Sequence, residues 1–149
     1  MATIILKTLI NAPIENCFDL ARSIDLHLQS MKASGEKAIA GKKSGLINLH
    51  ESVTWRAKHF GIPFEMTNKI STMEYPIRFV DEMVKGPFKK LHHQHHFKII
   101  DSQTEMTDVF EFEAPFGLLG RLVEKIFLTN YMSKLIEKRN KAIKFQAEW

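Results

Sequence analysis

Apolar residues recur with two different periods along this chain, and the change between them divides it. Residues 2–10 are rich in β-branched side chains and read as a strand. Pro13 opens a helix at its tolerated first position. Ile14, Cys17, Phe18 and Ala21 then lie along one helical face. A second short helix is expected over 25–31, with Asp25 as its cap. Residues 34–45, SGEKAIAGKKSG, read as a loop. From 46 to 113 the period is two, which marks half-buried antiparallel strands. Strand 46–59 puts Ile47, Leu49, Glu51, Val53, Trp55 and Ala57 on one face. Strand 62–73 puts Phe64, Met66, Asn68 and Ile70 inward, and strand 77–85 puts Phe79, Asp81 and Met83 inward. Strand 88–100 offers Leu91, His93, His95, Phe97 and Ile99, and strand 103–113 offers Met106, Asp108, Phe110 and Phe112.

After Ala114-Pro115 the period returns to that of a helix, from near Phe116 to about 147. At 1.5 Å per residue this element is roughly 45 Å long. Leu119, Leu122, Val123, Ile126, Phe127, Met132, Leu135 and Ile136 form the face expected to meet the sheet. Burial is expected in particular for Leu122, Ile126 and Leu135. The first strand is expected to pair with the last.

The length of 149 residues suits a single domain, 1–149, with no linker or repeat. No apolar run reaches the roughly 20 residues that span a bilayer. The N-terminal segment has no basic flank or cleavage site, so it reads as a strand, not a signal peptide. The lone Cys17 excludes an internal disulfide and suits a reducing compartment, so a cytoplasmic location is expected. The formal net charge of +4 draws much of its excess from the last helix, at Arg121, Lys125, Lys134, Lys138, Arg139, Lys141 and Lys144. Those residues read as a solvated face, with an anionic partner surface as the other reading. No nucleic-acid partner and no stable membrane insertion are expected, and a protein partner is left open.

The order strand, two short helices, antiparallel strands and long C-terminal helix resembles the helix-grip fold. This is the START-like or SRPBCC superfamily, which includes lipid-transfer domains, Bet v 1-like plant proteins and aromatase/cyclases. Within it, VTWRAKHFGIP (53–63), RFVDEMVKGPF (78–88), HHQHHF (92–97) and TDVFEFEAPFGLLG (107–120) are similar to small, stand-alone bacterial ligand-binding SRPBCC proteins. The resemblance implies an α+β fold, a curved antiparallel sheet around the long helix with an apolar cavity between them. It implies no assigned reaction, no cofactor and no metal.

Candidate chemistry lies on the inner face. The two-residue turn Asp101-Ser102 sets Ile100 opposite Gln103, hence His95 opposite Asp108 and His93 opposite Phe110. Opposed side chains are about 5 Å apart at Cβ, so a His95–Asp108 hydrogen bond is expected. Asp81, Glu51 and Asn68 are expected nearby, and Trp55, Phe64, Met66, Phe79, Met83 and Phe110 as an apolar lining. Three readings of the polar set stand side by side. It is a structural network, a set that orients a ligand, or a metal site built on histidines that share a strand face. No GxSxG, Walker loop or GxGxxG occurs, so no catalytic residue is assigned. The function expected is carriage or sensing of an apolar or amphipathic small molecule. A cyclase- or dehydratase-like enzyme with His95 as base is the alternative, and an interaction module using the basic last helix is the third.

Overall fold

The computed structural model describes residues 1–149. Seven strands form one antiparallel sheet, and its order follows from two facts of the chain. Short turns join β3 (Ser52–His59), β4 (Ile62–Glu74), β5 (Arg78–Lys85), β6 (Lys90–Ile100) and β7 (Gln103–Glu113) into a meander. The first strand, β1 (Ala2–Ile10), then closes on β7, and β2 (Lys37–Gly41) closes on β3. The order is β1-β7-β6-β5-β4-β3-β2. Helices α1 (Ile14–Ala21) and α2 (Ile24–Ser30) connect the two outer strands, and a short 3-10 turn, Lys32–Ser34, follows. The C-terminal helix runs as α3 (Gly117–Val123), a π-helical turn (Glu124–Leu128) and α4 (Thr129–Glu148). It lies within the curve of the sheet, as a helix-grip architecture requires.

Turn chemistry fixes the register. Asp101 and Ser102 both adopt positive φ, 47° and 66°, the conformation whose twist matches the flanking strands. Phe60 and Gly61 do the same at 57° and 74°. The first turn sets Ile100 against Gln103 and, five pairs on, His95 against Asp108. β1 pairs with β7 along its whole length, from Ala2 opposite Phe112 to Ile10 opposite Thr104.

Four expectations need correction. Residues 37–41 form an edge strand where the lysine- and glycine-rich segment read as a loop. Strand 46–59 begins only at Ser52, because Asn48–Glu51 makes a turn and His50 takes φ 68°. Glu51 is used in that turn: its Oε1 accepts the Asn48 N–H at 2.7 Å. The cap of α2 is Ser23, whose hydroxyl accepts the Leu26 N–H, while Asp25 accepts from the Gly45 N–H.

The fourth correction concerns the long helix. Leu122 and Ile126 are 53% and 72% exposed, and Phe116, Leu118, Leu119, Val123 and Phe127 also face outward. Leu135 is only partly buried, and Ile136 is buried. Gly120 and Glu124 hold the inward position instead. A Cβ at Gly120 would collide with the Pro115 carbonyl oxygen, so only glycine allows this approach. The Glu124 carboxylate is buried and accepts the Ala114 N–H. A regular helix turns about 100° per residue, so positions four apart drift by about 40° per step. The wider π turn removes part of that drift, and the Glu124 carbonyl there accepts both the backbone N–H and the hydroxyl of Thr129. Gly120, Glu124, Ile136, Asn140 and Ile143 are thereby all buried.

This packing predicts an order of sensitivity. Ile143→Ala, which empties a position only 1% exposed, should cost about 2–5 kcal/mol in urea unfolding. Leu122→Ala and Ile126→Ala should each stay within about 0.5 kcal/mol of the parent.

Candidate functional site

Between the sheet and α4 lies a cavity of about 270 Å³. Nine of the residues expected at the site line it: Trp55, Phe64, Met66, Asn68, Phe79, Asp81, His93, His95 and Phe110. Its volume falls just under the roughly 300–1,000 Å³ of ordinary ligand pockets. Glu51, Met83 and Asp108 are not on its wall. Glu51 is held in its turn, and Met83 packs beside Gly86, whose Cβ position would meet the methionine sulfur. Asp108 is fully buried behind the wall.

The polar part of the wall is built crosswise. His93 lies opposite Asp81 in the ladder, and His95 lies opposite Asp108. Each imidazole bonds to the other's opposite number. His93 Nε2 meets Asp108 Oδ1 at 2.8 Å, and His95 Nε2 meets Asp81 Oδ2 at 2.6 Å. The expected His95–Asp108 hydrogen bond therefore does not form, although the register that suggested it is right. Their nearest approach is 3.5 Å, from His95 Nδ1 to Asp108 Oδ1.

The reason lies on α4. Arg139 Nη2 donates to Asp108 Oδ1 at 2.8 Å, and Asn140 Nδ2 donates to Asp108 Oδ2 at 2.7 Å. Arg139 also donates to the Asn140 side-chain oxygen, at 2.9 Å from Nη2. Both residues are buried, so the sequence's reading of Arg139 as part of a solvated basic face is corrected. With Asp108 occupied, His95 turns to Asp81. Its ring is held in a stack, 4.1 Å from Phe79 and 3.8 Å from His93.

Protonation follows from the partners. Carboxylates only accept, so both imidazoles carry their proton on Nε2. Arg139 Nη1 approaches His95 Nδ1 at 3.4 Å, which requires an acceptor there and agrees with this tautomer. His93 Nδ1 makes no such bond; its nearest carboxylate oxygen, Asp81 Oδ2, is 3.9 Å away. It is a free lone pair on a cavity-lining residue. Burial, and then the neighbouring His93, push His95 down to about 3, against the hydrogen bond to Asp81. Burial alone would raise Asp81, but the His95 hydrogen bond and the nearby imidazoles and guanidinium hold it at about 2. Burial opposes ionisation of Asp108 too, and the Arg139 charge and His93 hydrogen bond keep it well below the carboxylate range.

Asn68 completes the wall. Its Nδ2 donates to Asp81 Oδ1 at 3.2 Å, and its Oδ1 is buried with no partner. Asp81, His93 and His95 are the donor set that could hold a metal ion. At the far end, Tyr131 O–H and His59 Nδ1 share a hydrogen bond between α4 and β3. Phe60 packs on Tyr131 there, with ring centroids 4.7 Å apart. Sequence reasoning missed Arg139, Asn140, His59 and Tyr131. Spacing gave a signal for the first two: both lie three or four residues from the apolar Ile136 and Ile143.

No family model matches the chain, and no curated protein matches it. Solved structures do. The chain is similar to TTHA0849 from Thermus thermophilus, at TM-score 0.79 and 16% identity over 98% of this chain and 97% of that one. It is similar to a START superfamily protein from Mycobacterium smegmatis, at TM-score 0.71 and 13% identity over 98% and 97%. It is similar to ginseng major latex-like protein 151 from Panax ginseng, at TM-score 0.69 and 14% identity over 98% and 97%. These likenesses show the fold, which is the START/Bet v 1-like helix-grip fold the sequence resembled.

The site's electrostatics set a pH dependence. The unfolded chain protonates His95 near its ordinary 6.5, the folded chain only near 3. Between these values the unfolded state binds the extra proton, so stability falls as pH falls. The Asp81 contribution is lost later, between 3.8 and about 2. His95→Gln should flatten the decline of unfolding free energy between pH 6.5 and 3, measured by urea titration at a series of pH values. Asp108→Asn should cost about 3–5 kcal/mol at neutral pH in the same assay, because it strands the buried Arg139 charge.

Proposed function

We propose that the protein binds an apolar or amphipathic small molecule in this cavity, as a carrier or sensor. One observation carries the reading. A cavity walled mainly by aromatic and aliphatic side chains receives a single polar cluster, and that cluster keeps unspent hydrogen-bonding capacity on its cavity side. The free His93 Nδ1 and the orphaned Asn68 Oδ1 are both acceptors. A hydroxyl or amine on the ligand's polar end satisfies them, while Trp55, Phe64, Met66, Phe79 and Phe110 enclose its apolar body. Such a division of labour is what small-molecule sites generally show. The solved structures of similar fold support a container architecture. No helix is long and apolar enough to cross a membrane.

A second reading has its own observation. His93 lines the cavity, holds its Nε2–H on Asp108 and leaves Nδ1 without a partner, the arrangement of a carboxylate-oriented general base. A cyclase- or dehydratase-like activity would therefore use His93. The base considered from sequence, His95, is buried and already donates Nε2–H to Asp81. The reading as an interaction module is weaker, since Arg139 is turned inward and Lys144 is tied to the Leu9 carbonyl and Glu148.

The test is binding of an apolar fluorescent probe. The parent protein should bind it saturably, and Met66→Trp should weaken binding at least tenfold by filling the cavity. Val84→Trp, at a side chain 65% exposed, should leave it unchanged. Equal affinities for all three proteins, or no saturable binding, would remove the carrier reading. Recovery of the bound molecule unchanged separates carriage from the enzymatic reading.

A further inference from the structure

The cavity wall brings three metal-competent side chains together on two neighbouring strands. Asp81, His93 and His95 all line the cavity.

We propose that Asp81, His93 and His95 form a binding site for one divalent first-row transition-metal ion, with its remaining coordination positions open to the cavity. Their donor atoms all lie within 4.8 Å of one another. Two histidines and one carboxylate with open positions are the donor set of mononuclear metal sites that take zinc, iron or cobalt. The three side chains stand on adjacent strands, β5 and β6, whose register puts Asp81 opposite His93.

The individual donors are suited to the task. In the tautomer that gives its Nε2–H to Asp108, His93 Nδ1 is the lone-pair nitrogen. A carboxylate behind a ligating imidazole is the usual outer support of a metal site. Asp81 Oδ2 lies 2.6 Å from His95 Nε2 and 3.9 Å from His93 Nδ1. Donors bound at about 2.1 Å to one ion sit roughly 3 Å apart, so a carboxylate shift of under about 1 Å brings Asp81 to that spacing from each imidazole, and the two imidazole donors lie within 4.8 Å of each other. His95 must then carry its proton on Nδ1, giving up the 3.4 Å contact with Arg139 Nη1 and turning that proton to Asp108 Oδ1, 3.5 Å away. Independently, Asn68 places a buried, unpartnered oxygen beside Asp81, where it can accept from a metal-bound water.

The experiment is a titration of chelator-treated protein with Co²⁺ alone, followed by visible absorption, with Zn²⁺ as competitor. The expected result is saturation at one ion per chain. Asp81→Asn and His93→Gln should each weaken binding at least tenfold. His92→Gln should not, although His92 lies on the outer face near Glu82 and Glu111. On the unmodified protein, bound Co²⁺ should shift the NMR ring signals of His93 and His95 and spare those of His92 and His96. This last measurement decides the matter even if a variant fails to fold. Absence of saturable Co²⁺ binding, or paramagnetic shifts confined to His92 and His96, would overturn the proposal. No apolar probe is present, so such a failure leaves the cavity reading untouched.

Discussion

The fully buried carboxylate of Asp108 ties the sheet to the helix it grips. It takes hydrogen bonds from His93 on the neighbouring strand and from Arg139 and Asn140 on α4. Three elements distant in sequence therefore converge on one side chain. The bonds to Arg139 are charge-assisted and made out of water, where such bonds are strongest. They are also hard to give up: without Asp108 the Arg139 guanidinium is a buried charge with no carboxylate beside it. The rotation of α4 about its own axis is set by this anchor at one end. At the other end, the close approach of Gly120 and the Glu124–Ala114 hydrogen bond hold it. The π-helical turn lets one helix satisfy both.

The same anchor divides the polar cluster in two. Asp108, Arg139 and Asn140 saturate one another behind the wall. Asp81, His95, His93 and Asn68 face the cavity. The crosswise pairing of the two histidines follows from that division. His93 is drawn to Asp108 and leaves Nδ1 bare, while His95 is left to Asp81. A wall built this way is rigid at the back and still able to form bonds at the front. Binding, orientation and acid–base chemistry all need that combination.

The sheet was legible because its information is local. Alternation marks the faces of each strand, and a two-residue turn at Asp101-Ser102 fixes every pair on β6 and β7. The cavity wall was legible for the same reason, from Trp55 on β3 to Phe110 on β7. The helix was not legible, since its contacts are made with residues far away in the chain. A periodic apolar face from Leu119 to Phe127 suggested burial, but Gly120 and Glu124 took the inward position through contacts to Ala114 and Pro115 that no periodicity encodes. Arg139 looked like one more cation on a basic helix until a buried carboxylate stood across from it. The partner of His95 was misread for that reason too, because hairpin register places Cβ atoms and says nothing of a third element competing for the carboxylate. Glu51 failed differently, through a turn at Asn48 with no glycine or proline to announce it.

The central claim is that Asp108 holds His93 by Nε2 and leaves its Nδ1 free to act in the cavity. Long-range ¹H–¹⁵N NMR correlation of the imidazole nitrogens tests this most directly. At neutral pH the account predicts that His95 is neutral and that His93 and His95 each carry a proton on Nε2. It also predicts that a cavity-bound probe carrying a hydroxyl shifts the Nδ1 resonance of His93 and leaves its Nε2 resonance in place. A His93 ring protonated on Nδ1, or an Nδ1 resonance that ignores a bound probe, would contradict it.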